Sequence, residues 1–289
     1  MEMIKDEILK TLANKGDLPP LPEILLSLQN LINDPDCDLE AIAELVETEP
    51  VLSGRLMKLA NSVLFGGGRD EAEDLSSAVM RLGIKMILDL AYTLQLPNMF
   101  NRLKSFDQYL FWKHSLAVAC LTQILSRKAG LSEQDQAESY VCGLMHDLGI
   151  VVYEYLIPKE YGDFVKSSDS EGASLEILEK EKFGIDHSEL GGRFIRTHWS
   201  LSPVVISSVA NHHQPLSVNG AKPNLPQLVC IANRLVCNRG ITHGVGDEPE
   251  AAPEDSIFEN LGVSVEEFEE IFAEMLHGLD GAEEVLKGT

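Results

Sequence analysis

Apolar residues recur at intervals of three and four along most of the chain, and alternating apolar-polar runs are scarce. That spacing puts one apolar stripe on an α-helix and does not suit a strand, so the sequence predicts an all-α protein. Its helix ends are marked. Leu18-Pro19-Pro20-Leu21-Pro22 stops one helix and starts the next, whose stripe is Ile24, Leu25, Leu28, Leu31 and Ile32. Asn33-Asp34-Pro35 ends that helix, and Asp38 caps another that stops before Pro50. Helical spacing resumes from Leu75 to Leu96, with a bend at Gly83, and Pro97 closes a first helical bundle.

In the second half, Ser105 and Gln108 form a capping-box pattern for a helix reaching about Ala129. Leu110, His114, Ala117 and Leu121 share one inward stripe of it. Ser132 caps a helix that ends in His146-Asp147, with Gly149 as its C-terminal glycine. Residues 150–170 read as less regular. A helix over 172–183 follows, and Asp186 with Glu189 then places His187 in a first helical turn. Ser202-Pro203 begins a helix that ends at Asn211-His212-His213, and Pro226 opens one through Cys237. Residues 244–256 read as a linker before a last short helix, Val265 to Leu276. The expected organisation is an N-terminal helical lobe (1–100), a second helical core (101–243) and an acidic linker with C-terminal helix (244–289).

Charge limits the partners. The chain carries a net −23, and from Gly244 onward it has 14 acidic residues and one lysine. Nonspecific nucleic-acid binding needs a basic face, so nucleic acid is not an expected partner. The acidic tail serves solubility or meets a basic partner. No uninterrupted apolar run is long enough to span a membrane, and the charged N-terminus does not suit a signal peptide. Five cysteines, an odd number without a C-x-x-C pair, read as small core residues of a cytoplasmic protein.

His146-Asp147 raises a chemical question. A carboxylate at the C-terminal end of a helix is repelled by the helix's partial negative charge, and the next basic residue is Lys159. Either Asp147 caps a backbone amide and His146 is an ordinary core histidine, or a cation sits beside them. His114, His146, Asp147, His187, His212 and His213 fall at helix ends or on a buried stripe, where helices can converge. Imidazole with carboxylate suits iron, manganese, nickel or zinc. One shared carboxylate can serve one or two ions, and an ion pair can activate water for attack on phosphate. His198, His243 and His277 lack this context and read as surface or packing residues.

The order His114, His146-Asp147, His187, His212-His213 resembles the HD superfamily of metal-dependent phosphohydrolases, including its HD-GYP cyclic-di-GMP phosphodiesterase branch. The closer resemblance, over roughly residues 15–240, is to the HDOD domain, the HD-related output domain of bacterial signalling proteins. Three stretches carry it: 18–22, Glu49-Pro50 through Ala60-Asn61-Ser62, and Ala78-Val79-Met80-Arg81-Leu82-Gly83. The resemblance implies an N-terminal helical lobe packed on an HD-like core. It also implies a regulatory output role with a signalling protein or a small nucleotide as partner. The superfamily's metal positions fall on the six residues named above, and Asp147 would be catalytic in a hydrolase. Several features depart from the HD-GYP pattern. Ile150 replaces its lysine, Leu110 its extra glutamate ligand, and Asn233, at most a weak ligand, its closing aspartate; no Gly-Tyr-Pro follows His213. Arg193, Arg196 and Arg234 are the nearest candidates for an anion contact, although the ordinary reading of each is a surface ion-pair residue. Three readings follow: a regulatory protein with a metal site, a metal-dependent phosphohydrolase, or a metal-free helical scaffold for protein interaction.

Overall fold

The computed structural model describes residues 2–14, 18–66, 71–101, 103–168, 173–213, 222–246, 258 and 261–287. Among them there are helices and no strand. No helix among them is long and apolar enough to cross a membrane. The chain divides into two compact units, one of Met1–Leu18 and Arg102–Glu269, the other of Pro19–Asn101 and Glu270–Thr289. The N-terminal helix thus belongs with the second half of the chain, and the last residues with the first half.

The unit built on Pro19–Asn101 contains α2 (Glu23–Ile32), α3 (Leu39–Glu47), α4 (Pro50–Ala60), α5 (Val63–Gly66), α6 (Leu75–Leu82) and α7 (Ile84–Met99). Leu25, Leu28, Ile42, Val46, Leu56 and Leu59 are fully buried in it. Asp38 caps α3 through the Ala41 amide, as its position predicts. Asn61 forms a two-way clasp with the main chain of Ala72: its Nδ2 donates to Ala72 O at 3.0 Å and its Oδ1 accepts from Ala72 N at 2.9 Å. Arg81 Nη2 donates to the same Oδ1 at 2.9 Å and to Ala60 O. Gly83 separates α6 from α7 with φ +85°, a full break where a bend was expected. Pro97 lies inside α7 near its end and does not close it.

The other unit contains α1 (Glu2–Asn14), α8 (Gln108–Lys128), α9 (Glu133–Met145), α10 (Leu148–Leu156), α11 (Pro158–Ser168), α12 (Leu175–Phe183), α13 (His187–Phe194), a π-helical turn (Ile195–Trp199), α14 (Pro203–Asn211) and α15 (Leu225–Cys237). A final helix, α16 (Val265–Lys287), runs well past the expected Leu276 and crosses the division between units. Most of the expected linker lies outside the described residues. Four local expectations are corrected. Asp107, not Ser105, caps α8, accepting from the Tyr109 and Leu110 amides. Leu110 is 42 % exposed and does not share the inward side of α8, which begins at Phe111 and includes His114. Residues 150–168, the described part of the stretch read as less regular, are largely helical. Gly149 does not terminate α9, because the chain turns at His146-Asp147 and re-enters a helix at Leu148.

Gly149 serves a different end. A Cβ there would stand 1.8 Å from the carbonyl oxygen of His187, so the backbones of α10 and α13 touch. Gly143 does the same for α9 and α8, where a Cβ would lie 2.7 Å from Ala119 Cα. These approaches draw the helix ends that carry the histidines to one point.

Gly149→Ala is therefore expected to lower stability by at least about 1–3 kcal/mol, the usual overpacking range, because backbone rather than a movable side chain must yield. Gly54→Ala is the control. It lies inside α4 with nothing within 4 Å of a new Cβ, and should be neutral or stabilising by up to about 1 kcal/mol. Urea unfolding curves of the two variants check both.

Candidate metal centre

Four short stretches deliver the site. His114 projects from α8, while His146 caps the C-terminus of α9 and Asp147 precedes α10. His187 opens α13, held there by Asp186, whose side chain accepts from the Glu189 amide. His212 caps the C-terminus of α14, and His213 follows it. Ligand atoms of His114, His146 and Asp147 lie within 4.8 Å of one another, and so do those of Asp147, His187, His212 and His213. The structure thus brings together all six residues singled out in the sequence.

Asp147, 1 % exposed, stands between the two groups. Its Oδ2 faces His146 Nε2 at 3.0 Å and His114 Nε2 at 3.4 Å. Its Oδ1 faces His212 Nε2 at 3.2 Å and His187 Nε2 at 3.5 Å. The stranded-carboxylate argument needs correction: Asp147 precedes the N-terminus of α10, where the helix dipole favours a negative charge. Its side chain nevertheless makes no capping hydrogen bond there.

Proton positions give the case for a cation. His146 Nδ1 lies 2.8 Å from Gly143 O, His212 Nδ1 2.7 Å from Val209 O, and His114 Nδ1 2.8 Å from Ile241 O. A carbonyl oxygen only accepts, so each Nδ1 carries hydrogen and donates it. In the neutral ring each Nε2 is then a lone pair aimed into the site. His114 Nε2 and His146 Nε2 are 3.2 Å apart, and His187 Nε2 and His213 Nε2 are 2.8 Å apart. Two nitrogens bound to one ion at about 2.0–2.1 Å stand roughly 3 Å from each other. Asp147 Oδ1, Asp147 Oδ2 and His212 Nε2 are buried with no hydrogen-bond partner. A buried acceptor without a donor costs of order 1–3 kcal/mol, more when charged, and here several acceptors face one another. The donor set fits a transition-metal ion.

Titration follows the same layout. Burial pushes His146 down, and burial with neighbouring His213 pushes His212 well down, so both are neutral at physiological pH. Burial alone would raise Asp147, but the imidazoles of His146, His114 and His187 hold it well below the carboxylate range. Burial works against a charge on His187, yet the carboxylates of Glu179 and Asp147 hold its pKa well above the usual value.

Two nearby residues had no signal in the sequence. Glu179, fully buried in α12, accepts from His187 Nδ1 and from the His187 amide, each at 2.6 Å. A glutamate eight residues before a histidine fits no helical or motif spacing, and a turn joins them here. His243 was read as a surface or packing residue. Its ring packs edge-on against His114, with centroids 5.4 Å apart, and its Nδ1 accepts from the Val245 amide. His198 Nε2 meets Leu12 O at 3.1 Å, away from the cage.

The remaining candidates have surroundings of their own. Asn233 is buried in α15, with its Oδ1 accepting from Cys237 Sγ at 3.4 Å. Arg193 is exposed and pairs with Glu189 at 2.9 Å, and Glu189 also binds Lys5 of α1. Arg196 joins Arg193 in lining a groove against Leu9 and Leu12 of α1. Arg234 is partly buried in the last turn of α15.

The sequence profile of the HDOD domain matches residues 18–215. A protein of Treponema pallidum (strain Nichols) is 29% identical over 224 residues, which are 76% of this chain and 42% of that one. The chain thus spans about two fifths of that relative's length. An HDOD domain protein from Geobacter sulfurreducens has the same fold, with TM-score 0.78, 24% identity, and 99% of this chain and 98% of that one covered. A protein from Shewanella amazonensis SB2B, provisionally named a phosphohydrolase, also shares the fold, with TM-score 0.73, 22% identity, and 96% and 97% covered.

The raised pKa of His187 makes a pH prediction. Metal-free protein carries a proton on this ring at neutral pH, and an ion that takes Nε2 must displace it. Affinity for the ion is expected to rise with pH, about tenfold per unit while that proton is being released. Metal titrations across neutral pH, in buffers of different ionisation enthalpy, measure the released proton directly. Without metal, the stability that His187 contributes is complete below its unfolded pKa, about 6.5, and is lost as pH rises through the higher folded value.

Proposed function

We propose, for a chain that belongs to the HDOD domain family, that it is a regulatory output protein of bacterial signal transduction whose helical core holds one or two transition-metal ions. The observation that carries the reading is a full donor set beside an apolar position. His114, His146 and Asp147 Oδ2 would hold one ion, and His187, His212, His213 and Asp147 Oδ1 another. Ile150, three residues after Asp147 where a hydrolase of the HD-GYP type has its lysine, is apolar and fully buried. Asn233 is neutral and cannot serve as a base, and Arg193 is already paired with Glu189.

A bound ion supplies fixed positive charge and Lewis acidity. The protein's own part is to hold the donors at the ends of α8, α9, α13 and α14. Filling the cage ties these ends together, so a metal or a ligand on it acts on the relative stability of helix arrangements, the quantity through which a signalling protein or a small nucleotide would be coupled.

A second reading, a metal-dependent phosphohydrolase, is favoured by one observation: Asp147 turns a different oxygen to each imidazole group. That suits a carboxylate shared by two ions, and such ion pairs serve phosphate hydrolysis.

Elemental analysis of the purified and metal-reconstituted protein, followed by a turnover screen with nucleotides and cyclic dinucleotides, decides between them. The regulatory reading expects bound transition metal, its loss in His146→Ala/Asp147→Ala, and no turnover above a metal-only blank. Turnover abolished by Asp147→Ala would establish the hydrolase instead. Failure to take up any metal would leave a helical scaffold.

A further inference from the structure

We infer that α12 makes the two halves of the cage unequal: Glu179 is a positioning residue that locks His187 as a ligand, so the His187, His212 and His213 half takes its ion first and more tightly. The inference rests on the metal-centre reading and adds an order of filling to it.

The asymmetry lies behind the ligands. In the other half, the Nδ1–H groups of His114 and His146 donate to backbone carbonyls of Ile241 and Gly143. His187 donates instead to a carboxylate. Glu179 Oε2 accepts from both the ring and the amide of His187, and Glu179 Oε1 accepts from Tyr161 Oη at 2.7 Å. Glu179 is fully buried, so its charge is met by these donors rather than by water. A carboxylate behind an imidazole fixes its tautomer and raises its basicity more than a carbonyl does, and such partners commonly change metal affinity ten- to a hundredfold.

The same helix brings a second carboxylate toward this half one turn earlier, without a hydrogen bond. Glu176 lies three residues before Glu179 and so on the same face. Its Oε2 stands 4.0 Å from His213 Nδ1, while its Oε1 accepts from Ser174 Oγ at 2.6 Å. Both acidic partners therefore back the pair His187 and His213, whose Nε2 atoms are 2.8 Å apart.

Cobalt(II) titration of the metal-free full chain tests this, read by calorimetry and by the visible absorption of the bound ion. Glu179→Gln keeps the shape of the side chain and removes its charge. The first-ion affinity is expected to fall by about ten- to a hundredfold, with a changed absorption envelope and little effect on any second ion. His187→Gln should abolish the tight step, whereas His114→Gln should leave it in place. This ligand pair decides the order of filling even if Glu179→Gln does not fold. Unaltered first-ion affinity in a folded Glu179→Gln, or loss of the tight step in His114→Gln, overturns the inference alone. A wild-type chain that takes up no cobalt overturns the metal-centre reading, and the inference with it.

Discussion

Acceptors that face acceptors are the constraint on which this core depends. His146 and His212 each cap a helix and donate Nδ1–H to the carbonyl three residues back. That bond satisfies a last-turn carbonyl the helix leaves without a partner. It also fixes the tautomer, so the same local bond that finishes the helix aims a lone pair away from it. Two helix C-termini, each with partial negative charge, thereby point at one buried place. The electrostatic argument for a cation rests on these ends of α9 and α14 rather than on the position of Asp147, which the start of α10 already favours.

Bringing so many like dipoles together has a mechanical condition. The helices must approach closely enough for ring nitrogens a few ångströms from their own backbones to reach one another. Gly149 against His187 and Gly143 against Ala119 allow contacts at which any side chain would clash. Removing side chains there gives up little burial, because the flanking walls of α8, α9 and α10 are apolar and closed. Leu116, Met145, Ile150 and Val151 are all fully buried. Packing of the walls holds the polar centre in place, and that centre in turn gathers buried acceptors that a cation would satisfy.

The sequence made helices legible because helical burial is periodic, and it made most starts legible because a cap is a local bond. Asp38, Ser132, Asp186 and Ser202 all accept from amides within their own first turn. The convergence of the histidines was legible only as an order along the chain. What could not be read was whatever depends on how the chain turns between helices. Asp147 was assigned to the end of one helix when it begins another, because Gly149 gives the same signal for a helix end as for a close backbone contact. Glu179 reaches His187 only through the turn at 184–186, and His243 reaches His114 only after α15 has crossed the unit. Neither spacing has a period to betray it.

Charge balance bears on what such a cage is suited to do. Its fully buried anions are Asp147 and Glu179, with the partly exposed Glu176 near His213, and its remaining donors are neutral rings or carbonyls. One divalent ion cancels both anions. A second ion would leave about two positive charges in an apolar enclosure, a state that costs several kcal/mol per uncompensated charge unless an anion enters with it. In a dedicated hydrolase a closing aspartate shares in that compensation and a lysine helps to hold the phosphate. The residues that the resemblance would match to these two are Asn233 and Ile150, and both are buried. By this balance a first ion would be accommodated by the protein alone, whereas a second would be tied to whatever anion accompanies it. That dependence would suit a sensor for an anionic ligand at least as much as a catalyst.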